Sequence, residues 1–195
     1  MSAHAQPRLT DEEYLALERK AEFRNQFYDG IMYAMSGGSP THAFVISAMA
    51  REFGNAFKKR PCRVASSDFR VRVSRGGLYT YPDIVVVCDE PKYSDDQKDT
   101  LVNPTLLIEV LSPSTEAYDR GFKTEQYRKI ESLREYALVS QSRPHIEVFR
   151  RQASGDWLMS ESTGVDASCR FDSVDCTIPL AEIYDKITFE EVPLT

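Results

Sequence analysis

The hexapeptide Leu106-Leu107-Ile108-Glu109-Val110-Leu111 constrains the fold of this chain more than any other stretch. A short continuous apolar run of this kind forms a strand buried on both faces, with neighbours on each side. Glu109 interrupts it at the centre. An ionised carboxylate in such a place is costly unless a cation meets it. Any fold that accepts this strand must therefore bring a positive group to the interior of its sheet.

Upstream, Tyr81-Pro82-Asp83-Ile84-Val85-Val86-Val87 has the same form, an acid at the mouth of an apolar run. Two acids on two buried strands point to one shared site. Taken alone, Asp83 after Pro82 is an ordinary turn residue; its pairing with Glu109 gives it more. Downstream, Asp119-Arg120-Gly121-Phe122-Lys123 opens a helix and supplies a lysine. By itself Lys123 is explained by a surface ion pair with Asp119 four residues earlier, whereas beside two buried acids it completes an acid, acid, lysine set. Tyr127, one turn further on, is a neighbour of the same site. Divalent-metal chemistry on phosphodiesters uses carboxylates and a backbone carbonyl, with positions left open for water and a phosphate oxygen. Asp83, Glu109 and the Val110 carbonyl are the candidate ligands for Mg²⁺, with Mn²⁺ as a substitute, and Lys123 is the candidate to orient or deprotonate the attacking water.

The flanking sequence reads as a scaffold for this cluster. Thr10 and Glu13 form a capping box for a short helix, and Asp29-Gly30 between two aromatic-rich segments signals a hairpin. Phe44, Val45, Ala48, Met49, Phe53 and Phe57 fall at helical spacing over Thr41 to Lys59, and Pro61 stops that helix. His42 at its start is a candidate site neighbour, as is Asp68 at a strand start. From Cys62 to Val73 two strands, or one bent strand, are expected. In the second part Val71 and Val73 alternate with Arg70 and Arg72, which predicts a buried face and a basic, solvated face able to contact DNA. The polar loop Glu90 to Pro104 is long enough to expect function or mobility. A helix over Tyr118 to Ser132, antiparallel strands at Tyr136–Val139 and His145–Phe149, an edge strand at Trp157 and a short helix over Pro179 to Tyr184 complete the order. The class is α/β (α+β): a mixed β-sheet flanked by helices, with an N-terminal helix and hairpin.

At 195 residues the chain suits a single domain, 1–195, with its core at about 41–140. A net charge of −6 excludes a protein that coats nucleic acid indiscriminately, although Lys58 to Arg75 is locally basic. No apolar run has the length of a membrane span and the N-terminus does not resemble a secretory signal, so a cytoplasmic location without membrane contact is expected. Cys62, Cys88, Cys169 and Cys176 lack C-x-x-C spacing and read as reduced thiols rather than a disulfide framework or zinc site.

The segments YPDIVVVCDEP and NPTLLIEVLSPSTEAYDRGFKTEQYRKIESLREYALVSQ resemble the putative restriction endonuclease family, bacterial proteins of the PD-(D/E)xK nuclease superfamily. The similarity runs from the first helix to about Tyr184. It implies a restriction endonuclease-like core, Asp83 as the PD acid, Glu109 as the second acid, and a lysine displaced from the strand to the following helix, where Lys123 stands. Gln26-Phe27 occupies the place of a Glu-aromatic pair common in that family, a change that weakens any second metal site. The activity implied is Mg²⁺-dependent endonucleolytic cleavage of DNA; the alternative is a noncatalytic nucleic-acid-binding or interaction module, in which a homodimer through a sheet edge is expected.

Overall fold

The computed structural model describes residues 8–189; part of the N-terminal stretch considered above as a signal lies outside them. The capping box is formed: Thr10 Oγ1 accepts from the Glu13 amide at 3.2 Å and Glu13 Oε2 from the Thr10 amide at 2.8 Å, opening α1 (Asp11–Glu18). Asp29 and Gly30 take φ of 50° and 80°, as a two-residue turn with the twist of its strands requires, and join β1 (Asn25–Tyr28) to β2 (Ile31–Ala34). Ser39 caps α2 (Pro40–Ala56) by accepting from the His42 amide. Val45, Met49 and Phe53 of α2 are fully buried, each stabilising the packed helix by roughly 1.5–3 kcal/mol. The helix stops short of the Lys58-Lys59 pair expected in its last turn.

β3 (Arg63–Ser66) and β4 (Arg70–Arg72) are separate strands in different sheets. They are followed by β5 (Tyr79–Thr80), β6 (Ile84–Val87), β7 (Thr100–Leu101) and β8 (Leu106–Leu111). In place of one helix from Tyr118 to Ser132 come α3 (Glu116–Tyr118), a π-turn over Asp119–Lys123 and α4 (Thr124–Tyr127). β9 (Glu135–Ser140), β10 (His145–Arg151) and β11 (Trp157–Thr163) are antiparallel neighbours, as expected. A hairpin of β12 (Ser168–Phe171) and β13 (Cys176–Pro179), not foreseen from the sequence, leads into α5 (Leu180–Ile183).

The main sheet has the order β11-β10-β9-β8-β6-β3 and is mixed, since β8 and β9 are parallel while the other pairs are antiparallel. The second sheet, β2-β1-β5-β4-β7, is built from short strands. Alternation along β6 and β8 divides the core in two. Ile84, Val86, Leu106, Ile108 and Val110 face α2, whereas Val85, Val87, Leu107 and Leu111 face the second sheet and Tyr127. Among the described residues no helix is long and apolar enough to cross a membrane.

Two further expectations are corrected by the fold. Arg70 does not lie on a solvated basic face: it is 3% exposed, with Nη2 2.9 Å from Asp99 Oδ2, Nε donating to Thr100 Oγ1 and Nη1 to the Tyr81 hydroxyl. Arg72 is half-buried against the Tyr79 hydroxyl. The reason is that Arg70 of β4 meets Asp99 and Thr100, brought alongside by β7, and the Tyr81 hydroxyl, in place of solvent. In the polar loop, Asp95 and Asp99 both bind Arg19 of the α1 C-terminus. Finally, Cys62 and Cys88 form a disulfide. Arg63 pairs with Val87 across β3 and β6, so the next residues outward stand opposite one another, a register that spacing along the chain does not reveal. Cys169 and Cys176 are free and buried.

Removing Arg70 leaves Asp99 with Arg19 but deprives the buried Thr100 and Tyr81 hydroxyls of their donor. A buried polar group left without its partner costs roughly 1–3 kcal/mol, so we expect Arg70→Met to destabilise the fold by about 2 kcal/mol and Asp99→Asn, added to it, to destabilise further by breaking the Arg19 pair, as measured by denaturant melts of both variants.

Candidate active site

The side chain of Glu109 is 2% exposed and that of Lys123 lies against it. Lys123 Nζ is 3.0 Å from Glu109 Oε1 and 3.0 Å from Asp119 Oδ1, and the Tyr127 hydroxyl donates to the same Glu109 oxygen at 2.6 Å. The interior of the sheet thus holds the cation that the sequence of β8 demands. It comes from the π-turn. The Thr124 amide donates to the Asp119 carbonyl five residues back, and that carbonyl also accepts from Thr124 Oγ1 at 2.8 Å and the Tyr136 hydroxyl at 3.2 Å. Widening the helix by one residue lets Asp119 and Lys123 both point inward; π-turns of this kind occur frequently at functional sites.

Ile84 pairs with Ile108, so one step further out the ladder sets Asp83 opposite Glu109. Asp83 Oδ2 accepts from the Val110 amide at 2.8 Å and is 3.3 Å from His42 Nε2, and the Val110 carbonyl also lies against that ring. His42 is held from behind by Gly38, where a Cβ would run into the imidazole. Asp83, Glu109, Val110, Asp119, Lys123 and His42 line one cleft of about 240 Å³. A second cleft of about 320 Å³ continues past Gly38, His42 and Asp83 to Arg24 and Ser67.

Burial raises the Glu109 carboxyl; Lys123 opposes the rise, Asp83 and Asp119 add to it, and the result is pushed up to about 8. Burial alone would lower Lys123, but the carboxylates of Glu109 and Asp119 more than offset it and hold the ammonium charged. Glu109 is thus the group in this pair that takes up a proton. Asp83 raises His42 through their hydrogen bond, against the effect of burial. Burial and then Glu109 push the Tyr127 phenol well above its ordinary range, so it acts as a donor. Three acids face one ammonium, and Asp119 Oδ1, although close to that ammonium, accepts no aligned hydrogen bond.

The donor set suits a hard divalent ion. Both protein contacts of Asp83 fall on Oδ2 and both of Glu109 on Oε1. Among the described residues no three His, Cys, Asp or Glu side chains converge as a closed cage. Mg²⁺ typically binds through one or two carboxylates and keeps several waters, and needs no such cage.

The structure brings together Asp83, Glu109, Val110, Lys123, Tyr127 and His42, six of the positions singled out from the sequence. Asp68 is outside, highly exposed and paired with Arg24. Gln26 is also outside the cleft, accepting from the Tyr118 hydroxyl at 3.3 Å. Asp119, read from sequence as a surface partner of Lys123, is 2% exposed and belongs to the cluster. Its signal was present in the i, i+4 spacing to Lys123, which serves a buried pair as well as a surface one.

A mixed sheet carrying one acid within β8 and another just before the neighbouring β6, with a lysine beside them, fits a nuclease fold of the restriction endonuclease type. The chain belongs to the Uma2 family, described as putative restriction endonuclease, whose model matches residues 11–171. It is 38% identical over 155 residues to the uncharacterized protein slr1290 of Synechocystis sp., covering 78% of this chain and 80% of that one. A second Synechocystis protein, the uncharacterized sll1609, is 31% identical over 163 residues, covering 84% and 92%. The crystal structure of a putative nuclease belonging to DUF820 from Anabaena variabilis superposes with a TM-score of 0.72 at 18% identity, over 90% of this chain and 97% of that one.

A carboxyl whose folded pKa lies above its unfolded value, about 4.3, stabilises the fold fully below that value and loses the contribution as pH rises toward the folded pKa. Metal-free protein should accordingly lose stability between pH 5 and 8, and Glu109→Gln should lose less over the same range in thermal melts. Lys123→Met removes the group that opposes the rise of the Glu109 carboxyl, so in that variant the loss of stability should continue past pH 8; a decline that ends at the same pH as in the wild type would contradict this charge balance.

Proposed function

We propose that the protein is a Mg²⁺-dependent endodeoxyribonuclease, with Mn²⁺ as a substitute ion, working through Asp83, Glu109 and Lys123. The observation that carries this reading is the buried ammonium of Lys123 held between two carboxyl groups at the floor of a cleft that Asp83 and the Val110 carbonyl also reach. Oxygens of Asp83, Glu109 and the Val110 carbonyl would hold the ion, whose chemistry is to polarise the phosphodiester and lower the pKa of a bound water.

The remaining work belongs to the chain. Tyr127 and Lys123 fix the rotamer of Glu109 by contacting one of its oxygens, which leaves the other for the ion. The Val110 amide fixes Asp83 in the same way. Lys123, kept charged by its neighbours, orients the attacking water and stabilises the negative charge that develops on the phosphoryl oxygens. His42, raised by Asp83, supplies a proton donor on the opposite side of that acid and can meet a phosphate oxygen or the departing one.

A second reading is a nucleic-acid-binding or interaction module that retains the fold without cleavage. It is favoured by Gln26, by the net charge of −6 and by the withdrawal of Arg70 from the surface. The two separate on one experiment. Millimolar Mg²⁺ or Mn²⁺ should raise the thermal midpoint of the wild type through binding to the native state, and should not do so for Asp83→Asn. Glu109→Gln should lower the rate of cleavage of plasmid or single-stranded DNA by at least about a hundredfold; an active protein whose rate survives Glu109→Gln rules out the nuclease reading at this site. Gly38→Ala, which displaces the His42 ring, should slow cleavage while leaving the metal-dependent rise in midpoint in place.

A further inference from the structure

Close to Lys123 lies a second hollow of about 240 Å³ lined by Gln26, Tyr28, Tyr33, Tyr118 and Phe122. Four of these five residues are aromatic. Gln26 and Tyr33 are a cross-strand pair of the β1–β2 hairpin, and Tyr28 is two residues along from Gln26 on the same face. Phe122 forms the back wall, edge-on to Tyr28 at a centroid distance of 4.7 Å and stacked with Tyr118 at 5.2 Å. Tyr33 stands at the rim, 43% exposed. This hollow is continuous with the candidate chemistry through two links: Phe122 precedes Lys123 in the π-turn, and Lys123 Nζ is 5.9 Å from the centre of the Tyr118 ring.

We infer that this hollow is a seat for one unstacked nucleobase, so that the protein acts on single-stranded or locally unpaired nucleic acid; the inference rests on the nuclease reading and specifies its substrate. A nucleobase is a flat ring with a polar edge, and aromatic walls with one side-chain amide among them match both parts. Stacking on aromatic side chains is insensitive to base identity, because every base has a π-face. Gln26 carries both a donor and an acceptor and can meet a base edge. Paired duplex DNA offers no such base until it is unstacked, at a cost of a few kcal/mol.

The test is fluorescence anisotropy in EDTA with a labelled mixed-sequence oligonucleotide, single-stranded and then annealed to its complement, on wild type, Tyr33→Ala and Tyr33→Phe. The single strand should bind at least roughly tenfold more tightly than the duplex. Tyr33→Ala should weaken single-strand binding by roughly five- to a hundredfold, whereas Tyr33→Phe, which keeps the ring, should retain it. Single-strand affinity unchanged in Tyr33→Ala, in a wild type that binds and cleaves DNA, overturns the base seat and leaves the nuclease reading standing. A wild type that neither binds nor cleaves DNA in either form removes both. A wild-type dimer that becomes a monomer in Tyr33→Ala by sedimentation assigns the aromatic face to a second copy of the chain and likewise overturns the base seat.

Discussion

The structure depends on a single ammonium group placed where β8 cannot do without it. Glu109 lies in an otherwise apolar strand, with Leu107 and Leu111 on the same face. Lys123 reaches it from a helix and brings Asp119 along, so the interior holds more carboxyl groups than ammonium. Such an arrangement is poor for stability compared with apolar packing of the same volume. Its persistence here is most simply tied to chemistry: an excess of buried acid attracts either a proton or a metal ion, and Glu109 raised to about 8 is the form that this excess takes in the free protein.

Around that point the fold is stiff. The second sheet is fixed to α1 by a polar network that runs from the interior to the surface: Arg70 binds Asp99, Asp99 binds Arg19, Tyr81 joins Arg70 to Glu18, and Glu18 also accepts from the Asn25 amide. Tyr81 closes one side of the acid cleft. The N-terminal helix and hairpin therefore position a cleft wall and the aromatic rim above the π-turn. Groups on packed strands and helices hold their geometry better than groups on loops, and Asp83, Glu109 and Lys123 all stand on such elements or at their ends.

The local features and the two acids were legible in the sequence; the sheet partition was not. Thr10 with Glu13 and Asp29 with Gly30 act through neighbours three residues apart or fewer, which is why their outcome could be read directly. Glu109 announced itself because an acid in an apolar run has few stable explanations. Arg70 misled for the converse reason. Alternation with Val71 is equally the pattern of a half-exposed strand and of an interior strand whose polar side meets a buried acid, and Asp99 is far along the chain. The Cys62–Cys88 bond and the inward turn of Asp119 likewise depend on partners that only the assembled sheet brings near.

The origin of Lys123 in the π-turn ties the site to the packing of that segment. A lysine carried by β8 itself would be present whenever the central sheet is formed. Here the ammonium is in place only when the segment from Glu116 to Tyr127 is packed on the sheet, where Asp119, Lys123, Thr124, Gln126 and Tyr127 are all buried. Completing the acid cluster and completing this part of the core are therefore one and the same event.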